Sequence, residues 1–60
     1  MTSLLQLNEQ FEALKQMLER DEFHYEDWMW LAQQYEDNFF KAKSKTIRKL
    51  CAKIQKERNG

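Results

Sequence analysis

Three pairs of adjacent carboxylates are the residues that first suggest chemistry in this sequence. They are Asp21 with Glu22, Glu26 with Asp27, and Glu36 with Asp37. Carboxylates that converge on one point can perform acid–base catalysis or hold a divalent cation. Adjacent residues on a helix point about 100° apart, so the members of each pair face different directions. The pairs are therefore interpreted as solvated surface acids, and those at Glu26 and Asp27 suit the positive end of a helix.

Cys51 and His24 are the other side chains with catalytic or metal-binding potential, and each stands alone. Cys51 is the only cysteine and His24 the only histidine, which falls short of a typical zinc ligand set. His24 lies in an expected connection between helices, and Cys51 lies on an apolar helix face with no resolving cysteine. The sequence has no nucleophile–base pair, ligand cluster or phosphate-binding loop. It therefore predicts a protein that is not an enzyme and needs no metal or cofactor.

Basic residues are concentrated near the C-terminal end and form a candidate nucleic-acid-binding face. Residues 39–60 contain eight bases and one acid, whereas residues 1–38 contain nine acids and two bases. On a helix, most of the cations of the basic segment share one side, opposite its apolar residues. The candidate nucleic-acid contacts are Lys45, Arg48, Lys49, Lys53 and Lys56. Such a face can neutralise phosphates with little dependence on base sequence.

Two interpretations of the basic face remain open. The stretch SKTIRKL, which begins at Ser44, is similar to a helix-turn-helix recognition helix, in which Ser, Thr, Arg and Lys contact DNA. The interval from Ala32 to Ile47 is longer than that motif uses, and the usual glycine of the turn is absent. The other interpretation is a solvated face that matches the acidic half of another subunit. DNA binding is therefore the alternative function.

The length of the chain points to a partner subunit. Sixty residues form a single domain, 1–60, and a chain this short buries only about 60% of its unfolded surface. Such chains usually gain stability from a disulfide, a metal or oligomerisation. One cysteine cannot form a disulfide within the chain, and no zinc ligand set is present. The sequence therefore predicts an oligomer, and a homodimer is the expected form.

The location expected from the sequence is the cytoplasm. No apolar run approaches the roughly 18 to 20 residues that a membrane-spanning helix needs. The first residues lack the basic start and long apolar stretch of a secretion signal. A single unpaired cysteine also fits a reducing compartment. No contact with a membrane or with a small-molecule substrate is expected.

The absence of helix-breaking residues predicts an all-α protein. The sequence has no proline, and its only glycine is Gly60, so almost the whole chain is expected to be helical. Thr2 and Ser3 are the candidate N-caps of the first helix. Apolar residues then recur at spacings of three and four, which is typical of a narrow helix-packing stripe. The stripe is Leu4, Leu7, Phe11, Leu14 and Leu18.

A second helix is expected from about Glu26, folded antiparallel on the first as a helical hairpin. Its apolar face comprises Trp28, Leu31, Ala32, Tyr35, Phe39 and Ala42. A later apolar set has a different phase and comprises Phe40, Ile47, Leu50, Cys51 and Ile54. Either a third helix begins with Ser44 as its N-cap, or one long, bent helix covers residues 26–57. The long helix is preferred, because no glycine or proline interrupts it.

Trp30 is the most informative residue for a protein interface. It lies roughly 150° from the centre of the apolar face of the second helix, and Met29 and Phe40 lie on a third side. A helix with apolar groups on more than one face is either enclosed or in contact with a second molecule. The alternative is a surface tryptophan that lies across its own helix. The candidate interface residues are Trp30, Met29, Phe40, Ile47, Leu50 and Ile54.

The opening stretch MTSLLQLNEQFEALKQMLERDEF, with the short length and the basic C-terminal segment, resembles a group of phage proteins. These are the short helical proteins that lambda-like temperate phages encode in the early region between the exonuclease and excisionase genes. The similarity covers most of the chain. It implies an early accessory protein of the bacterial cytoplasm that influences phage development, such as the choice between lysis and lysogeny. It also implies that the partners are host or phage regulatory proteins, and it implies no particular site residues.

Overall fold

A computed structural model of the chain describes residues 3–59 and contains three α-helices in that range, with no β-strand. Helix α1 is Leu4–Glu19, α2 is Tyr25–Asp37 and α3 is Lys41–Asn59. The all-α prediction is therefore confirmed. Among the described residues, none of the helices combines the length and apolar character needed to cross a membrane.

Helix α1 begins with a capping box. The Oγ of Ser3 accepts a hydrogen bond from the Gln6 backbone N–H, and the Gln6 Oε1 accepts one from the Ser3 backbone N–H. Both donor–acceptor distances are 3.2 Å, and the pair satisfies two backbone donors that the helix itself leaves free. Ser3 is thus confirmed as the N-cap, and Thr2 lies outside the described residues.

Both α1 and α2 end in the same backbone motif, without glycine. After α1, the N–H groups of Asp21 and Glu22 donate to the carbonyls of Leu18 and Met17. After α2, the N–H groups of Phe39 and Phe40 donate to the carbonyls of Glu36 and Tyr35. These are the paired bonds of a Schellman motif, which needs one residue in the left-handed conformation. Asp21 has φ 62° and Phe39 has φ 69°.

The preferred single helix over residues 26–57 is therefore wrong. The chain leaves the helical conformation between Asp37 and Lys41, because Phe39 adopts a positive φ that an α-helix cannot include. The break also lies before Ser44, which is not an N-cap but a buried residue inside α3. Of the two alternatives, three helices is the correct one.

The core contains residues from all three helices. Its buried members are Leu7, Leu14, Trp28, Leu31, Ala32, Tyr35, Ile47 and Cys51. The predicted apolar faces of α1 and α2 are recognisable in this set. Two residues predicted for the face of α2, Phe39 and Ala42, are instead exposed, because α2 ends at Asp37 and the chain changes direction before either is reached.

Specific contacts tie the helices together around this core. Tyr35 Oη donates a 2.7 Å hydrogen bond to Asn8 Oδ1, which joins the end of α2 to the start of α1. The Phe11 ring meets the Trp28 ring edge-on, with 5.6 Å between centroids. Lys43 Nζ lies 4.8 Å from the centroid of the Phe11 ring, an arrangement in which the aromatic face attracts the cation.

Candidate interaction surface

The residues with catalytic or metal-binding potential do not come together. Among the described residues, no group of three or more His, Cys, Asp or Glu side chains could hold a metal ion. His24 precedes α2 and makes no side-chain capping bond. Cys51 is buried in the core, and this burial raises the pKa of its thiol while the nearby Arg48 lowers it by a smaller amount. Burial thus disfavours the reactive thiolate of Cys51.

The apolar face of α3 is covered within the chain itself. Ile47 has no exposed surface, Ile54 is also buried, and Leu50 is half-buried against the core. Ile47 and Ile54, which the sequence offered as candidates for a contact between subunits, are thus buried within one copy of the chain. The sequence shows that the face is apolar, but not which helix covers it.

The other candidate interface residues differ in exposure. Met29 is half-buried and packs against the core. Phe40 is 40% exposed, and its ring meets the Tyr35 ring edge-on, with 6.3 Å between centroids. Trp30 is 49% exposed. Trp30 is therefore the candidate that most clearly presents a large apolar side chain to solvent.

Trp30 lies within a line of polar side chains on the outside of α2. The line consists of Glu26, Trp30, Gln33 and Asp37. All four side chains are exposed, and Gln33 Nε2 donates a 3.0 Å hydrogen bond to Asp37 Oδ1. The spacing of four, three and four residues keeps them on one side of the helix.

A line of lysines occupies the outside of α3. It consists of Lys45, Lys49, Lys53 and Lys56, and we call it the lysine stripe. All four are exposed. Within the part of the chain that the structure describes, none of them has a carboxylate oxygen within 4.0 Å. Their charges are therefore available to another molecule.

Arg48, the fifth candidate for nucleic-acid contact, has a different role. Its Nη2 lies 3.4 Å from Gln33 Oε1 and 3.4 Å from Glu36 Oε2, and its Nε donates to Ser44 Oγ at 3.3 Å. Arg48 thus joins α3 to the outer part of α2.

A shallow groove of about 280 Å³ lies along this junction. Its lining residues are Glu36, Lys41, Ser44, Lys45 and Arg48. Three of the five residues are cations, and the carboxylate of Glu36 balances one of the three positive charges. Ser44 is buried, at 3% exposure, whereas the other four lining residues are exposed.

Sequence reasoning missed the most exposed aromatic residue. Phe39 is 88% exposed and stands at the left-handed position between α2 and α3. The only local signal is Asn38, because asparagine is one of the residues used at helix C-termini. Asn38 is indeed the C-cap, and its Nδ2 donates a 2.7 Å hydrogen bond to the Gln34 carbonyl. Leu5, at 68% exposure, is a second large apolar side chain in solvent.

Comparisons with known proteins give no match. No protein-family model matches the chain, and neither a curated protein nor a solved structure is similar to it at a significant level.

Proposed function

We propose that this protein is a small non-enzymatic regulator that acts through protein–protein contacts. The observation that carries the proposal is the exposure of large aromatic side chains, above all Phe39 and Trp30. Tryptophan and other aromatic residues are enriched at the centres of protein interfaces. In this proposal, α1 and α2 form the antiparallel hairpin expected from the sequence. The hydrogen bond between Tyr35 and Asn8 supports this arrangement, because it joins the end of α2 to the start of α1.

Phe39 gives the strongest support, because its conformation is costly as well as exposed. A left-handed backbone is unfavourable for any residue with a Cβ atom, and glycine usually takes this position at a helix end. Here the position holds a phenylalanine with φ 69° and 88% exposure. Strained residues of this kind cluster at binding sites. A contact role for the ring explains why a bulky side chain stands there.

The resemblance noted above supports a biological setting for this proposal. A short helical protein similar to the early accessory proteins of lambda-like phages would act in the cytoplasm of the bacterial host. There it would influence phage development by binding a host or phage regulatory protein. A contact surface with exposed aromatic residues, rather than a catalytic centre, suits that role.

The test uses variants that distinguish the loss of a contact side chain from a loss of folding. Phe39→Gly removes the ring and relieves the left-handed strain, so it should fold at least as well as the wild type. Asp21→Gly makes the same backbone change after α1 and keeps every aromatic residue. In affinity capture from bacterial lysate, Phe39→Gly and Trp30→Ser should lose proteins that the wild type and Asp21→Gly retain. Identical captured proteins for all four chains would contradict the proposal.

DNA binding is the second candidate function, and the lysine stripe is the observation that favours it. Its four side chains are exposed and free of ion pairs within the described residues. The groove beside it adds Lys41 and Arg48. Cations arranged along one helix can follow a phosphate backbone.

The DNA alternative is tested by titrating duplex DNA at two salt concentrations. Lys49→Glu with Lys53→Glu should abolish binding at low salt, whereas Lys15→Glu on α1 should leave most of it. A steep loss of affinity with added salt is expected for a phosphate contact. Absence of binding by the wild type at low salt would exclude this alternative.

A further inference from the structure

We propose that the groove between α2 and α3 binds a phosphate monoester, carried on a phosphorylated side chain of the protein that this chain contacts. The groove is lined by Glu36, Lys41, Ser44, Lys45 and Arg48. This inference rests on the proposed function, because it gives a chemical character to the partner that the exposed aromatic residues contact.

The cations of the groove lie on one side of α3. Lys41, Lys45 and Arg48 follow one another at spacings of four and three residues, which places them on the same side of a helix. All three residues are exposed. In the described part of the chain, neither Lys41 nor Lys45 has a carboxylate oxygen within 4.0 Å. Their ammonium groups are therefore available to an anion that enters the groove.

Arg48 is held in the groove but keeps free binding capacity. Its Nε donates a hydrogen bond to the Oγ of the buried Ser44. Its Nη2 lies 3.4 Å from Glu36 Oε2, which is longer than the about 2.7–2.9 Å of a strong charge-assisted hydrogen bond. Its Nη1 has no acceptor among the described residues. The guanidinium can therefore keep its bond to Ser44 and still donate to a phosphate oxygen.

The charges of the groove match a phosphate monoester better than other biological anions. Three cations and one carboxylate line the groove, which leaves two positive charges uncompensated. A phosphate monoester carries a charge of about −1.5 to −2 at pH 7, whereas a carboxylate or a DNA phosphate carries a single charge. The formal net charge of the chain is zero, so no overall positive field draws DNA towards the groove.

The size of the groove favours a phosphate that belongs to a larger ligand. Pockets for free small molecules usually have volumes of roughly 300–1,000 Å³ and bury most of the ligand. This groove is shallow and has a volume of about 280 Å³. A phosphorylated side chain needs to place only its phosphate there, because the rest of the partner contacts the surrounding surface.

Phe39 adjoins the groove and can supply part of that surrounding contact. Its N–H donates a 3.0 Å hydrogen bond to the carbonyl of Glu36, and Lys41 follows it by two residues. Phe39 is 88% exposed. A protein segment with its phosphate in the groove is therefore within reach of the Phe39 ring. Recognition of phosphorylated segments by clustered cations is a recurring mode of peptide binding.

NMR titration of the isotope-labelled chain tests the groove with a defined probe, N-acetyl-phosphoserine amide. At pH 7.5 the probe should shift the backbone amide signals of residues 41–48 in a saturable way, and N-acetyl-serine amide should not. Dimethyl phosphate, which has one charge, should bind roughly fivefold more weakly or less tightly still. Binding of the probe should also weaken at pH 5, where it loses its second charge. Dimethyl phosphate that binds as tightly as the probe would overturn the proposal and assign the groove to a nucleic-acid backbone.

Charge variants locate the binding site in the same titration. Lys41→Gln with Lys45→Gln should weaken binding of the probe by about tenfold or more. Glu36→Gln should strengthen it, because this change removes the carboxylate that repels the phosphate. Lys49→Gln with Lys53→Gln removes the same charge from α3 outside the groove and should bind like the wild type. Equal weakening by both lysine pairs would overturn the site. The circular dichroism of each variant should match the wild type, since all the replaced residues are exposed.

Phosphatase treatment separates this inference from the proposed function. Proteins that the wild type captures from bacterial lysate, and that Phe39→Gly loses, should also be lost when the lysate is first treated with alkaline phosphatase. Capture of the same proteins from treated lysate would overturn the phosphorylated partner and leave the contact function in place. If the probe binds in the groove but Phe39→Gly and Trp30→Ser capture the same proteins as the wild type, the contact function fails and the phosphate site stands.

Discussion

Phe39 and Asp21 occupy equivalent positions after two helices, although their side chains share no chemical character. Each adopts a positive φ and donates its N–H to a carbonyl three residues earlier. A left-handed backbone costs a residue with a Cβ atom roughly 1–2 kcal/mol. The helix ends are therefore fixed by backbone hydrogen bonds at an energetic cost, rather than by the preference of the residue that stands there.

Replacing either residue with glycine should stabilise the fold. We expect Phe39→Gly to raise the free energy of unfolding by about 0.5–1 kcal/mol, since the relief of strain exceeds the entropy cost of glycine. Asp21→Gly should raise it by less, because aspartate tolerates the left-handed conformation better than phenylalanine and because its Oδ1 accepts a hydrogen bond from Arg58. Urea denaturation measures the change. Phe39→Ala retains a Cβ atom and is the control for loss of the ring alone. A gain for Phe39→Ala as large as that for Phe39→Gly would show that strain is not the cause.

Burial of two weak acids should make stability depend on alkaline pH. Burial raises the pKa of Cys51 above its ordinary 9.0 and that of Tyr35 above its ordinary 10.0. Below pH 9 both groups are protonated in the folded and unfolded chains, so their contribution is fully present. Above those values the unfolded chain loses protons first, and stability falls as pH rises. We expect urea midpoints to decline from about pH 9, and the decline to weaken in a Cys51→Ala, Tyr35→Phe variant. An equal decline in that variant would contradict this assignment.

At the scale of the elements, sequence periodicity predicted the helical faces well but not the boundaries or the packing partners. Leu7 and Leu14 on α1, and Trp28 and Tyr35 on α2, are buried as their spacing indicates. The end of α2 could not be predicted from the sequence, because the left-handed position after it holds Phe39 and not the glycine that is usual there. Nor does periodicity say what covers an apolar face, and α3 turned out to be covered by its own chain.

Because the apolar face of α3 is covered within one chain, two apolar substitutions should have clearly different effects on the free energy of unfolding. Ile47→Ala removes a fully buried side chain and should cost about 2–5 kcal/mol in the free energy of unfolding. Leu5→Ala removes a side chain that is 68% exposed and should change stability by less than about 0.5 kcal/mol. Thermal or urea unfolding at two protein concentrations measures both. Similar small effects for the two variants would show that α3 is not packed as described.

At the scale of the whole molecule, a neutral chain is divided into an acidic part, which contains α1 and α2, and a basic part, which contains α3. The charge asymmetry was evident in the sequence, and it left two interpretations open. The contact of Arg48 with Gln33 and Glu36 could not be predicted, because it depends on how α3 packs against α2. That packing leaves Trp30 exposed on the outside of α2 and the lysine stripe exposed on the outside of α3.

Affinity capture from bacterial lysate tests this account most directly, with the wild-type chain, Asp21→Gly, Phe39→Gly and Trp30→Ser as the four baits. We expect the wild type and Asp21→Gly to retain proteins that Phe39→Gly and Trp30→Ser lose, because only the last two variants remove an exposed aromatic side chain. The same captured proteins for all four chains would contradict the account.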